Sequence, residues 1–367
     1  MVSIFKDSER LSNFEALRLL CMLMVLNLHS FWGYNHGSGF WQAADFFRES
    51  TSICAVDCFI LISGYFGIKW KIKSFFNLTF QLFYYSIGIY LVVAFFGIVD
   101  WNLKQFFLRF ACLATHSWAF AVTYVLLYFC APVLNAFAEK VSSRELFLYI
   151  MVFFLAINFV SVPRFALFTY ALVYLIGRFL RQINIADINL PAAKAYWITT
   201  TLIFIIVYYL LFKLLHIADA EIITKWPIGF IGFDYAAPLV IAQSVFLFIV
   251  FAKMKFSSSL INYCAKSCFA IFLIHLHPTI KQIGYYSYSR DLYNLPVFQH
   301  IIALILLIAV VFFGCIIVDK IRIAISDRCF VWVERLTKSI SPKWAELYTY
   351  ISDSIERDIK KTNKTYS

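Results

Sequence analysis

The stretch from Asn13 to Ser30, NFEALRLLCMLMVLNLHS, places an arginine and a histidine within an apolar run long enough to cross a membrane. Arg18 and His29 are eleven positions apart, which on an α-helix is a rise of about 16 Å and almost three whole turns, so both side chains can face one side. An ionisable group inside a membrane segment costs about 2.5 kcal/mol or more and is therefore a functional candidate. The alternatives are that Arg18 reaches toward the membrane surface and that His29 is a hydrogen-bonded interior histidine. Their occurrence together on one face favours a functional site.

The composition of the whole chain predicts a polytopic helical membrane protein. Of 367 residues, 62% are hydrophobic and only 14% are charged, and the mean hydropathy is +0.76, whereas about a quarter of the residues of a soluble domain are charged. The aromatic content of 20% suits lipid-facing surfaces and interfacial belts. Long apolar runs such as Ile301–Val318 argue against a β-barrel. The expected fold class is an all-α transmembrane helix bundle.

Apolar runs of about 17 to 25 residues predict ten membrane spans. Their approximate bounds are 14–32, 50–68, 74–98, 118–138, 145–161, 165–181, 195–215, 233–252, 267–285 and 299–319. If the N-terminus is inside, the cytoplasmic segments hold roughly three times as many Lys and Arg residues as the outer ones, so both termini are expected to be cytoplasmic. We predict a transmembrane domain over residues 1–325 and a cytoplasmic tail over 326–367 that is amphipathic and partly disordered.

The net charge and the cysteines limit the kinds of ligand and partner that the sequence predicts. Because the basic residues lie mostly between and after the spans, the formal net charge of +11 is attributed to membrane orientation and not to nucleic-acid binding. The nine cysteines have no metal-binding spacing and are expected to be buried free thiols, so no metal site is predicted. Membrane lipid is an expected partner, and a homo-oligomer is compatible with the sequence.

The second span, which contains VDCFILISGYF at Val56–Phe66, adds an acidic residue and a small-residue pair. Asp57 needs a partner inside the membrane, and His29 or Arg18 is the expected one; alternatively Asp57 ends the span at the outer interface. Ser63 and the glycine after it would let a ligand or another helix approach closely.

Four more residues are candidates for substrate or cosubstrate binding. Lys71 and Lys73 follow the second span and could bind the phosphates of an anionic cosubstrate, or could serve only as the positive-inside signal. Trp118, at the outer start of the fourth span, could stack on a sugar or belong to the aromatic belt. In the ninth span, KSCFAIFLIHLHPTI, His275 and His277 point in different directions, so at most one of them faces the same interior site as His29. His275 is the deeper of the two.

Taken in order, these motifs resemble those of the acyltransferase-3 membrane acyltransferases, and among them the bacterial polysaccharide O-acetyltransferases. The resemblance covers nearly the whole chain and rests on Asn13, Leu17, Arg18 and His29; on Val56–Phe66; on HSWAFAVTYVLLYFCAPVLN, His116–Asn135; and on SCFAIFLIHLHP, Ser267–Pro278. It implies a protein of the bacterial inner membrane that transfers an acyl group, usually acetyl, from cytoplasmic acyl-CoA to a hydroxyl of a glycan or a lipid-linked saccharide. His29 then matches the catalytic histidine and Arg18 its paired arginine. Many members have an arginine pair where this chain has Lys71 and Lys73, and lysine cannot clamp a phosphate bidentately.

Two classes of function account for these residues. In an acyltransferase, His29 would act as the general base that a sugar hydroxyl needs to attack a thioester, Arg18 and Asp57 would assist it, and acetyl-CoA would be a cosubstrate without any permanently bound cofactor. In a transporter or flippase for a glycan or lipid-linked precursor, the same polar residues would line a substrate path. The enzyme is the favoured hypothesis because it accounts for the buried pair and the basic inner rim together.

Overall fold

A computed structural model of the chain describes residues 11–30, 40–114, 118–159, 166–183, 185–215 and 234–365. Every regular element within these residues is helical, which confirms the all-α prediction. The α-helices, in chain order, are α1 (Ser12–His29), α2 (Phe40–Ser52), α3 (Ala55–Phe66), α4 (Ile72–Phe95), α5 (Leu103–Phe110), α6 (Ala119–Lys140), α7 (Ser143–Phe159), α8 (Ala166–Gln182), α9 (Leu190–Leu215), α10 (Pro238–Ala252), α11 (Ser259–Ala265), α12 (Cys268–His275), α13 (Tyr285–Asp291) and α14 (Val297–Thr365).

Four stretches of the described residues are long and apolar enough to cross a membrane by length and composition: Lys73–Phe95, Ala119–Lys140, Leu190–Val207 and Val297–Trp332. They support a membrane protein, while the count of ten spans and the cytoplasmic termini stay predictions. The helix α14 continues without a break through residue 326, so a separate tail domain from that position also stays a prediction.

Two predicted spans have a different form in the structure. The span predicted at 50–68 is divided between α2 and α3, which are joined by a turn at Ile53 and Cys54. The span predicted at 267–285 contains α12, which already ends at His275. Pro278 explains this end, because proline has no backbone N–H and its ring clashes with the carbonyl four residues earlier.

The helix α3 lies at the centre of the bundle, packed against α1, α8 and α10. Its crossing with α8 is very close: a Cβ atom added to Gly64 would lie 2.2 Å from the carbonyl oxygen of Tyr174, and one added to Gly177 would lie 2.6 Å from that of Leu61. Small residues permit such close approach between helices. Gly64 therefore serves helix packing, one of the two roles predicted for the Ser63–Gly64 pair.

Hydrogen bonds fix the beginning of α1. The side chain of Asn13 donates to the carbonyl of Phe251 at the end of α10, at 3.0 Å. The hydroxyl of Ser12 donates to Asn262 of α11 at 3.0 Å, and it accepts from the backbone N–H of Ser258 at 2.9 Å. The helix that carries Arg18 and His29 is thus held in place at its first turn.

Candidate active site

Arg18 and His29 line the same cavity, as their spacing predicts. Its volume is about 670 Å³, within the usual range for small-molecule sites. Because Arg18 and His29 are separated by almost three helical turns, the cavity extends about 16 Å along α1. Apolar side chains from α1, α3 and α6 cover most of the wall between them, among them Met22, Val25, Phe59 and Phe120.

A chain of hydrogen bonds determines which nitrogen of His29 carries a proton. Nδ1 of His29 lies 2.9 Å from Nε2 of His275, and Nδ1 of His275 lies 2.6 Å from the carbonyl oxygen of Ile271. A carbonyl oxygen only accepts, so Nδ1 of His275 is the protonated nitrogen and its Nε2 is an acceptor. Nδ1 of His29 must then donate. In a neutral imidazole this places the lone pair on Nε2 of His29, the ring nitrogen that can accept a proton.

His275 and His277 have separate surroundings, as expected for residues two apart. Both are buried, and His275 lies behind His29, outside the set of described residues that line the cavity. His277 instead contacts the carbonyl of Ser86 through Nε2, at 3.1 Å. The structure therefore brings His275 to His29, although the sequence pattern favoured a role for His275 in substrate binding.

A hydrogen-bond network anchors the end of α1 at Asn27 and Ser30, close to His29 in sequence. Arg48 of α2 donates through Nε to the side chain of Asn27 at 3.2 Å, and it also donates to the hydroxyl of Ser30. It is held in turn by Asp45 at 3.0 Å and by the hydroxyl of Tyr293 at 2.8 Å. In the sequence, Arg48 lies just before the apolar run predicted at 50–68 and is only one of the charges between spans. Its i,i+3 spacing from Asp45 is the one local signal that it could be paired and partly buried.

The opposite end of the cavity carries positive charge. Arg18 pairs with Glu15 at 2.9 Å and its side chain is one-third exposed. Lys266 lines the cavity as well, and Lys281 lines it nearer His29. The described lining residues include these three basic side chains and no Asp or Glu. Lys266 lies one residue before the span predicted at 267–285, and the sequence did not indicate that it lines the cavity.

Asp57 does not form the expected pair with His29 or Arg18. It is fully buried, and neither of its carboxylate oxygens has a hydrogen-bond partner among the described residues. Its neighbour Val56 lines the cavity, whereas Asp57, one residue further along α3, points to another side of the helix. There it is close enough to Tyr170 and Tyr235 for electrostatic interaction.

The remaining predicted residues divide between the cavity and the surface. Ser63 lines the cavity, and its hydroxyl lies 3.1 Å from that of Tyr124. Trp118 lines it too and is 2% exposed. Lys71 and Lys73 are exposed and lie outside the set of described lining residues. His116, which is part of the resemblance, lies outside the described residues.

Comparison with known proteins identifies the family of the chain. The acyltransferase-3 family, described as an acyltransferase domain, matches residues 11–320, a range that includes all the cavity-lining residues named above. No curated protein and no solved structure gives a significant match. Since the family match covers nearly the whole chain, this protein belongs to the acyltransferase-3 family of membrane acyltransferases.

Proposed function

We propose that the protein is an O-acyltransferase of the bacterial inner membrane. It moves an acyl group, acetyl in the simplest case, from cytoplasmic acyl-CoA to a hydroxyl of a cell-surface polysaccharide or a lipid-linked saccharide. The observation that carries this proposal is the hydrogen-bonded chain from His29 through His275 to Ile271, because it leaves a basic nitrogen on a residue that lines the cavity.

The proposed reaction uses His29 as a general base. Nε2 of His29 takes the proton of the acceptor hydroxyl while the hydroxyl oxygen forms a bond to the thioester carbonyl carbon. The C–S bond then breaks, and the proton passes from His29 to the departing thiolate of CoA. One positioned base of this kind contributes about 10² to 10⁴ in rate.

His275 is proposed to act as a positioning residue. It accepts the Nδ1–H of His29 before and after proton transfer, so it holds the imidazole ring in one orientation and favours the protonated form. Asp57 is proposed to act in a similar indirect way, through Tyr170 and Tyr235, which line the cavity.

The acyl donor is proposed to enter at the Arg18 end. CoA carries phosphates, and Arg18 and Lys266 supply positive charge to that end of the cavity. A planar guanidinium suits bidentate contact with phosphate, whereas a lysine ammonium acts as a point charge. Lys71 and Lys73, which are exposed on the segment after α3, are proposed to attract the same phosphates from outside the cavity.

Binding of acetyl-CoA to the purified protein in lipid nanodiscs tests this proposal without knowledge of the acceptor. Arg18→Gln and Lys266→Gln are each expected to raise the Kd by about tenfold, as for the loss of one hydrogen bond to a charged group. The double change Lys71→Gln with Lys73→Gln should raise it less. Lys104→Gln, an exposed lysine of α5, is the matched control and should leave the Kd unchanged.

Wild-type protein that does not bind acetyl-CoA would contradict the proposal, because a transporter or flippase has no use for this cosubstrate. Equal Kd values for wild type, Arg18→Gln and Lys266→Gln would place the donor elsewhere.

A further inference from the structure

The His29 end of the cavity contains a group of hydrogen-bond donors that the proposed transfer does not use. Trp118, Lys281 and Tyr286 all line the cavity with His29. They are grouped around one segment of chain: the ring of Trp118 lies edge-on to His277 at 5.7 Å between centroids, and the backbone N–H of Lys281 donates to the carbonyl of His277 at 2.9 Å. The backbone N–H of Tyr286 donates in turn to the carbonyl of Lys281 at 3.0 Å.

Two of these donors are unsatisfied within the described part of the chain. The indole N–H of Trp118 is buried without a hydrogen-bond partner, in a side chain that is only 2% exposed. Lys281 is half-buried as a residue, and its ammonium group forms no ion pair or hydrogen bond with the described residues. A buried polar group such as the Trp118 indole N–H is normally paired, and an exception calls for an explanation. A ligand that accepts hydrogen bonds in the cavity would satisfy this indole N–H and would give the Lys281 ammonium a partner.

The charge of the cavity restricts the chemistry of this ligand. Lys281 lies close enough to His29 for electrostatic interaction, and no Asp or Glu is found among the described residues that line the cavity. Lysine and indole N–H groups only donate. The complementary group is therefore an anion with several acceptor oxygens, since hydrogen bonds between ionised partners are the strong ones.

We infer that the acceptor carries a carboxylate or a phosphate, which binds Lys281 and Trp118 beside the hydroxyl that is presented to His29. This inference rests on the proposed function and narrows its acceptor to an anionic one. The anion could belong to an acidic sugar, or to the phosphate through which a saccharide is linked to a lipid. In both cases the same two side chains provide the contacts.

Calorimetric binding to the purified protein in nanodiscs tests the inference with three probes: methyl glucuronide, methyl glucoside and a glucose linked to a prenyl phosphate. At least one of the two anionic probes is expected to bind about tenfold more tightly than the neutral glucoside. A preference for the glucuronide identifies a sugar acid, and a preference for the prenyl-phosphate probe identifies a lipid-linked saccharide. Equal affinity for all three probes, or binding of none, would overturn the inference.

Substitutions of Lys281 and Trp118 test whether these residues cause the preference for an anionic probe. Lys281→Gln should abolish the preference for the anion, Lys281→Arg should keep part of it, and Trp118→Phe, which removes the indole N–H, should weaken binding of the anionic probe severalfold. The matched controls are Lys104→Gln and Trp197→Phe. Trp197 also has a buried indole N–H that has no partner among the described residues, but it lies outside the described lining of the cavity. An undiminished preference in Lys281→Gln would overturn the assignment.

Acetyl-CoA binding by the same samples separates the two proposals. Protein that binds acetyl-CoA but does not distinguish the three probes refutes only the anionic acceptor. Protein that binds an anionic probe but no acetyl-CoA refutes the transferase.

Discussion

The basicity of His29 depends on the hydrogen bond that its other ring nitrogen makes. With His275 as acceptor, Nδ1 of His29 keeps its proton and Nε2 carries the lone pair that the proposed proton transfer requires. Without that acceptor, the two tautomers compete and the ring can turn. The contribution of His275 is therefore one of orientation, which should appear in kcat and leave KM nearly unchanged.

Substitution of His275 tests this role. His275→Leu removes the acceptor and should lower kcat by roughly 10- to 100-fold, the usual cost of losing a group that orients a functional histidine. His275→Gln retains a side-chain oxygen that can accept from His29 and should recover part of the loss. Steady-state kinetics separates kcat from KM, and membrane abundance controls for folding. A rise in KM at constant kcat would show instead that His275 binds substrate.

Asp57 provides a second test at this scale. Asp57→Asn preserves the shape of the side chain and removes the carboxylate. Membrane abundance should be unchanged or higher, because a buried carboxylate without a hydrogen-bond partner among the described residues is costly. Transfer activity should fall by about tenfold if Asp57 acts through Tyr170 and Tyr235, far less than with loss of a general base. A loss as large as that of His29→Ala would make Asp57 catalytic, and full activity would remove it from the site.

The residue types of the site could be predicted from the sequence, but their pairing could not. Arg18 and His29 stand out because charged and titratable groups are rare in apolar runs. The partner of His29 is 246 positions away, and no local periodicity connects them. Asp57 illustrates the same limit. The sequence shows that Asp57 needs a partner, and only the structure shows that its side chain projects from a side of α3 that does not face His29 and Arg18.

At the scale of helices, the close crossing of α3 and α8 joins two helices that both contribute side chains to the cavity. Gly64→Ala would place a Cβ atom 2.2 Å from the carbonyl oxygen of Tyr174, and neither backbone can move without disturbing its helix. Overpacking of this kind costs about 1–3 kcal/mol. The melting temperature in detergent should fall. Gly88→Ala is the control, since a Cβ there meets nothing within 4 Å, and it should be neutral or mildly stabilising.

An unchanged melting temperature in Gly64→Ala would contradict the close crossing. The sequence indicated this packing through the Ser63–Gly64 pair, since small residues mark close helix contacts. It did not indicate the break between α2 and α3, because Ile53 and Cys54 are apolar and continue the hydrophobic run. Hydropathy shows which residues leave water and does not show where a buried chain turns.

At the scale of the whole molecule, the distribution of Lys and Arg predicts the orientation in the membrane. Ten spans with both termini inside place Ser367 and the segment after Lys140 in the cytoplasm, and the segment around Asp100 outside. A reporter that is active only in the cytoplasm should give signal when fused after Ser367 or Lys140 and none when fused after Asp100. Any reversal among the three fusions would require a different number of spans.

This predicted orientation also determines which end of the cavity faces the cytoplasm. With the Arg18 end toward the cytoplasm, the proposed acyl donor and acceptor would approach His29 from opposite ends of the cavity. The largely apolar wall of the cavity would also limit loss of the acyl group to water.

Acetylation of surface glycan tests directly whether His29 is the base of an acyl transfer. It is measured by mass in cells that carry wild-type or His29→Ala protein at matched membrane abundance. Wild type should add the mass of acetyl groups. His29→Ala should lower this transfer by about 10² or more, while the purified variant still binds acetyl-CoA through the Arg18 end. Wild-type acetylation in His29→Ala would show that His29 is not the base.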